Sequence, residues 1–154
     1  MPAPNVAELY KYEESLEAAF VTILSAASVT AVKQRNSATV AAPYVAIQLQ
    51  AGTATGRMKY YNSKPLYDAW SATLQTTIVT ERLQNDASHS TFRAKVRELL
   101  YDAQAQITTD NLPYHAVTKF FEGSSSPQVE EENNHDVTVI QWVMEFQIRS
   151  TAWP

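Results

Sequence analysis

The sequence predicts an α+β domain, a mainly antiparallel sheet of four or five strands packed against two helices. Three observations predict it. Two segments, near residues 5–27 and 91–106, repeat apolar side chains with a period near 3.6. Three others, near 44–50, 68–81 and 136–149, alternate apolar and polar residues. Neighbouring strands are joined by links too short for a parallel crossover, except where the second helix intervenes. A chain of 154 residues, 45% of them hydrophobic, suffices for one such domain spanning 1–154 with a sizeable core.

Each element has its own signal. Asn5 and Glu8 stand at capping-box spacing behind Pro2 and Pro4. Val6, Leu9, Tyr10, Leu16, Phe20, Ile23, Leu24 and Ala27 then mark the buried face of a first helix, with Glu8, Lys11, Glu14 and Ser15 opposite. Val29 to Lys33 is β-branched and predicts a short strand. After Pro43, Val45, Ile47 and Leu49 alternate with Ala46, Gln48 and Gln50 in a half-buried strand. Residues 51–66, with Gly52, Gly56, Asn62 and Pro65, predict a long, mobile hairpin connection. Trp70, Ala72, Leu74, Thr76 and Ile78 line the inner face of the next strand, and its Ser/Thr/Gln face meets solvent or a partner.

Ser88 to Thr91 precede a second helix that buries Phe92, Val96, Leu99, Leu100 and Ala103 and runs to about Gln106. Residues 111–115 predict a turn and Ala116 to Phe121 a strand. Gly123-Ser-Ser-Ser-Pro127 opens an acidic loop over 123–135. The last strand, 136–149, turns Ile140, Trp142, Met144, Phe146 and Ile148 inward.

Composition excludes several function classes. Cysteine is absent, so there are no disulfides, thiolate metal sites or cysteine nucleophiles. Three glycines are too few for a glycine-rich phosphate cradle, and a net charge of −4 does not favour nucleic acid. No basic, apolar leader opens the sequence, and the uncharged stretch between Glu17 and Lys33 is short of a membrane span, so a soluble, non-secreted protein is expected. His89, His115 and His135 form no metal-ligand spacing and are expected to be solvated or locally hydrogen-bonded. Glu130, Glu131, Glu132, His135 and Asp136 lack the alternation of a calcium loop. With no nucleophile or nucleotide motif either, neither an enzyme nor a cofactor is expected.

Charge is distributed more informatively. Lys33, Arg35, Arg57, Lys59 and Lys64 fall in a stretch without acids, between Ala18 and Tyr67. Glu122, Glu130, Glu131, Glu132, Asp136 and Glu145 fall in one without Lys or Arg, between Phe120 and Ile148. Either these stretches neutralise each other within the fold, or they occupy opposite flanks and meet between copies. Tyr60 and Tyr61 in the basic hairpin either cover the sheet edge or anchor a partner. Trp153 either caps the core or packs on a neighbour.

The run Ile78-Val-Thr-Glu-Arg-Leu-Gln-Asn85, then His89 and the helix through Val96-Arg-Glu-Leu-Leu100, precede a turn and Phe120-Phe-Glu-Gly123. A long terminal strand with Trp142-Val-Met-Glu-Phe-Gln-Ile148 follows. This order resembles the small tail-terminator and tail-to-head joining proteins of long-tailed bacteriophages. The resemblance implies a non-catalytic virion subunit, without cofactor or membrane contact. It would form a hexameric ring on the tail tube, stop tube growth and present a surface to the filled head. The implied partners are further copies, the tube protein and head or connector proteins, with transient, non-specific passage of DNA through the lumen. It makes the 52–66 hairpin the loop that reaches tube or lumen. Flank contacts would set Arg57, Lys59 and Lys64 against Glu130, Glu131 and Glu132, with Tyr60, Tyr61 and Trp153 as further contact residues. Two rivals are a head-completion or connector protein of the neck and a small cellular enzyme or ligand-binding domain.

Overall fold

A computed structural model describes residues 6–61, 63–82, 87–109, 114–130 and 134–149. The helical segment expected over 5–27 is two pieces, α1 (Val6–Tyr10) and α2 (Tyr12–Ala26), broken at Lys11 with ψ of 35°. Leu9, the residue before the last of α1, gives its carbonyl to the ring of His115 (3.2 Å). The expected Asn5 cap lies outside the described residues. The α2 helix buries Leu16, Ala19, Phe20, Ile23 and Leu24, the face expected from their spacing. It ends where Ser28 takes φ of 64°. The amides of Ser28 and Val29 then close onto the carbonyls of Ser25 (3.1 Å) and Leu24 (3.0 Å), a Schellman end with serine where glycine is usual.

Five strands form one sheet in the order β1-β2-β5-β7-β6: β1 (Ala31–Lys33), β2 (Tyr44–Ala54), β5 (Ala69–Glu81), β7 (His135–Ile148) and β6 (His115–Glu130). A separate ribbon pairs β3 (Met58–Tyr61) with β4 (Lys64–Tyr67). Three of the sheet's pairings are antiparallel. The fourth is a correction: β1 runs parallel to β2, Ala31 opposite Val45. The crossover is short because β1 has only three residues and a 3₁₀ helix, Gln34–Thr39, folds the return path up compactly. The second helix, α3 (Ala87–Thr109), carries the chain from β5 past β7 to the edge position of β6.

Residues 123–135 are a second correction. The Gly-Ser-Ser-Ser-Pro segment is no loop, because β6 continues through it and stays paired with β7 as far as Glu130 opposite His135. An edge position explains the tolerance. Arg149 N–H donates to Tyr114 O and Ile148 N–H to Asp68 O (both 2.8 Å), so odd residues of β7 turn their backbone toward β6. Pro127 lies opposite Thr138, an even position, so its missing N–H falls on the outer side, where the ladder needs no donor. Register shifts at Val117/Lys119 and Glu122/Ser124 absorb the remaining irregularity.

Both main helices pack on one sheet face, the side of Val45, Ile47, Leu74, Ile78, Ile140, Trp142 and Met144, all buried. Two aromatic groups tie the layers. Phe20 of α2, Phe120 of β6, Trp142 of β7 and Tyr101 of α3 stand in a chain of contacts at 5.4, 4.9 and 5.1 Å. Tyr12, Trp70 and Phe146 stack at 4.9 and 5.4 Å below α1. The opposite sheet face is mixed, with Gln48, Gln75 and Gln141 in one cross-strand row and Val79, Val137, Val139 and Val143 on the same side. Buried Trp142 donates its Nε1–H to Thr76 Oγ1 (3.1 Å), and Thr76 donates to Ile140 O (3.3 Å). Replacing Thr76 by Val keeps the shape but strands the indole N–H. We expect a loss of about 1–3 kcal/mol in denaturant unfolding, with Thr76→Ser close to the parent protein.

Candidate functional site

The 51–66 hairpin is built differently from expectation. β2 runs on to Ala54, and Thr55 and Gly56 both donate to Ala69 O (3.0 and 3.2 Å) before the ribbon begins. Asp68 clamps its base: one carboxylate oxygen accepts the amide of Arg57 (2.7 Å), the other meets Lys59 Nζ (3.4 Å). A side chain at Gly56 would stand 1.8 Å from that carboxylate, so glycine is required for the approach. At the tip, Ser63 has φ of 66°, in keeping with a tight two-residue link. Register then sorts the ribbon's side chains: Met58 faces Tyr67 and Tyr60 faces Pro65 on one side, while Lys59 faces Leu66 and Tyr61 faces Lys64 on the other.

Tyr61 and Leu66 are buried at 1% and 4% exposure and belong to the main core. This corrects the expectation that Tyr61 is a contact residue, because its ring already fills the interior. Tyr10 donates its phenol to Pro65 O (2.6 Å), a second tie between ribbon and helix, so the hairpin is an anchored element rather than a free loop. The outward side is also apolar: Met58, Tyr60 and Tyr67 are exposed at 54%, 69% and 43%, with Tyr10 nearby at 45%. Sequence reasoning found Tyr60 but missed Met58, Pro65 and Tyr67, and it placed Tyr10 on the buried face of the first helix, where the ring is instead exposed. The i, i+2 spacing of Met58 and Tyr60 across Asn62-Ser63 from Pro65 and Tyr67 was the available signal.

Arg57, Lys59 and Lys64 are all exposed, with Lys59 and Lys64 on the ribbon's other side by register. Glu130 is reached only by its backbone, at the end of β6, while Glu131, Glu132 and Trp153 lie outside the described residues. The ribbon leaves the sheet at Ala69 and the β6–β7 hairpin turns beside Glu81, so the 13 residues of β5 separate them by roughly 40 Å. The acidic block finds other partners near at hand. Arg97 of α3 meets Glu122 (2.9 Å), and Arg82 at the end of β5 meets Asp136 (3.6 Å). Lys33 and Arg35 line a cavity of about 320 Å³ with Glu13, Glu14 and Glu17 of α2.

Two histidines are buried rather than solvated. His89 stands between Thr80 and Thr138 hydroxyls, each 2.7 Å from a ring nitrogen, and Arg93 donates to Thr138 Oγ1 (3.4 Å). His115, 1% exposed, donates its Nε2–H to Leu9 O. Burial lowers its pKa to about 4, with the nearby Arg149 charge acting the same way against the raising effect of the Leu9 bond. Near His89, a cavity of about 580 Å³ opens between Pro43, Thr80, Glu81 and the first turns of α3. Among the described residues, no three His, Cys, Asp or Glu are placed to hold a metal ion, and no helix is long and apolar enough to cross a membrane. No protein-family model and no curated protein sequence matches the chain.

Two outcomes follow from this geometry. Asp68→Ala removes the clamp, so trypsin should cut after Arg57 or Lys59 several-fold faster, with global stability lower by about 1 kcal/mol. His115 is neutral in the folded chain below the pH at which the unfolded chain takes up its proton. Stability should therefore fall as pH drops from about 6.5 to about 4, by on the order of 3 kcal/mol, and level off below that for this group. His115→Gln should flatten that part of the pH–stability curve measured by denaturant titration.

Proposed function

We propose that this chain is a structural subunit of a phage tail or neck ring, a terminator that ends tube growth and offers the head its joining surface. It works without catalysis or cofactor, in the virion. The observation that carries this reading is the placement of unlike charge. The basic ribbon and the end of β6 that carries Glu130 stand at opposite ends of β5, roughly 40 Å apart, so these two runs of charge do not meet within a chain. Complementary ends on one subunit favour head-to-tail contacts, which close into a ring when the rotation permits. The resemblance of element order to terminators makes six copies the expected number, with tube protein on one side, head or connector proteins on the other and transient DNA passage through the lumen.

The cavity of about 580 Å³ is the observation a ligand-binding reading would start from, since its size suits a small molecule. Of its polar groups, the Thr80 hydroxyl is already bonded to His89, which leaves fewer groups to orient a ligand.

Light scattering coupled to sizing should give a six-fold species, and a twelve-fold one would move the assignment to a neck connector. Reversing Glu130, Glu131 and Glu132 to Lys should weaken assembly by about tenfold or more in subunit concentration, as for a lost set of complementary charges. Arg57→Glu with Lys64→Glu should restore it. Unchanged assembly after the first reversal rejects this charge pairing.

A further inference from the structure

We propose that the sheet face turned away from the helices is a contact surface for a second copy of this chain, the two faces lying one on the other. The composition of that face sets it apart from an ordinary wet surface. Along Ser71 to Thr77 of β5 and the residues set opposite them on β2, β7 and β6, the outward side chains hold two charges, Glu145 and Lys119. These stand opposite each other on β7 and β6, so the patch is neutral in a chain where 18% of residues are charged. Its middle row is Gln48, Gln75, Gln141 and Ser124. Val139, Val143 and Phe121 lie on the same side, Phe121 at 41% exposure. Solvated faces are rich in charged side chains, whereas loss of charge with aromatic and apolar groups retained marks the middle of an interface.

The occupant is a copy of the same chain on three grounds. Glutamine amides and serine or threonine hydroxyls each donate and accept, so a row of them is matched by an identical row. Whole chains of net charge −4 repel one another, and a neutral face is where two copies can approach most closely. The area also suffices. Four strands at about 4.8 Å, with residues at about 3.3 Å along each, give roughly 600 Å² from one copy, so a pair buries about 1,200 Å², the lower bound of a standard interface. The pair Gln75 and Gln141 is the midpoint of the thirteen-residue β5–β7 ladder. A two-fold axis lying between the faces over that midpoint sets Gln75 of one copy against Gln75 or Gln141 of the other. This contact uses neither the ribbon nor the end that carries Glu130, so it is independent of the end-to-end contact proposed above.

Salt separates the two contacts, because pairing of exposed charges fades with ionic strength and contact through an uncharged face does not. In about 0.5 M sodium chloride, light scattering coupled to sizing should still give a two-fold species. Gln75→Lys and Gln75→Glu should each weaken that association about tenfold or more, since each copy then buries a charge against its like. Mixing the two variants in equal amounts should restore it, which also shows that each is folded. A chain monomeric in this salt at every concentration would overturn the inference and leave the end-to-end reading, tested at low salt, standing. Unchanged association of Gln75→Lys would place the contact elsewhere and overturn it. Weakening by both variants without recovery on mixing would overturn it too, because position 75 would then not face its own copy.

Discussion

The unbroken pairing of β5 with β7, thirteen residues of ladder without a register shift, is the constraint on which the rest of the structure depends. These central strands bring Trp70, Leu74, Ile78, Ile140, Trp142, Met144 and Phe146 onto one face and give both helices a common surface to cover. They also set the distance between the molecule's two unlike ends. At this length each end must find its counter-charge locally or on another molecule. Part of it is found locally, in Asp68 for Lys59, Arg97 for Glu122 and Arg82 for Asp136.

Polar groups inside this core are few, and those described in detail have partners. The indole of Trp142 needs an acceptor, and Thr76 on the neighbouring strand supplies it while donating its own hydroxyl hydrogen bond to Ile140 O. His89 is held by two threonines from β5 and β7, so the start of α3 is fixed to one end of the two central strands by hydrogen bonds as well as by packing. His115 performs the same service for α1 through Leu9. A buried, neutral imidazole holds firmly at neutral pH and less firmly in acid, so the attachment of α1, and through Tyr10 of the ribbon, is coupled to pH.

Much of the fold was legible because burial imposes its period on the sequence. The inward faces of α2, β5 and β7 are those expected from Leu16, Phe20, Ile23, from Trp70 to Ile78 and from Ile140 to Ile148. What was not legible depends on partners far along the chain. The continuation of β6 through Gly123 to Pro127 is dictated by pairing with β7, which low local strand propensity does not reveal. The parallel β1–β2 pair needs only three residues, too few to show a pattern. The break at Lys11 coincides with the Leu9 carbonyl turning to a ring more than a hundred residues away. At the candidate site, the run of basic residues located Arg57, Lys59 and Lys64, but the side on which each tyrosine falls is decided by the ribbon's register. One residue of slip would exchange Tyr60 and Tyr61.

The sheet's two open margins bear on how copies of this chain can meet. β1 covers only Val45 to Ile47 of β2, and the next outward amide, that of Leu49, is taken by Glu17 Oε1 of α2 (3.0 Å). At the other margin, β6 carries two register shifts and an outward proline, devices that spoil a flat template for a further strand. Both margins are thus poor sites for strand addition, the usual route by which exposed sheets associate without control. The ribbon has the opposite character: its wet side is apolar, its base is clamped by Asp68 and its inner side is locked into the core. A surface held rigid loses little conformational freedom on contact, so its burial converts more fully into affinity. A contact made through side chains at the ribbon, with the sheet margins blocked, would be directional, as the proposed closed assembly of identical copies requires.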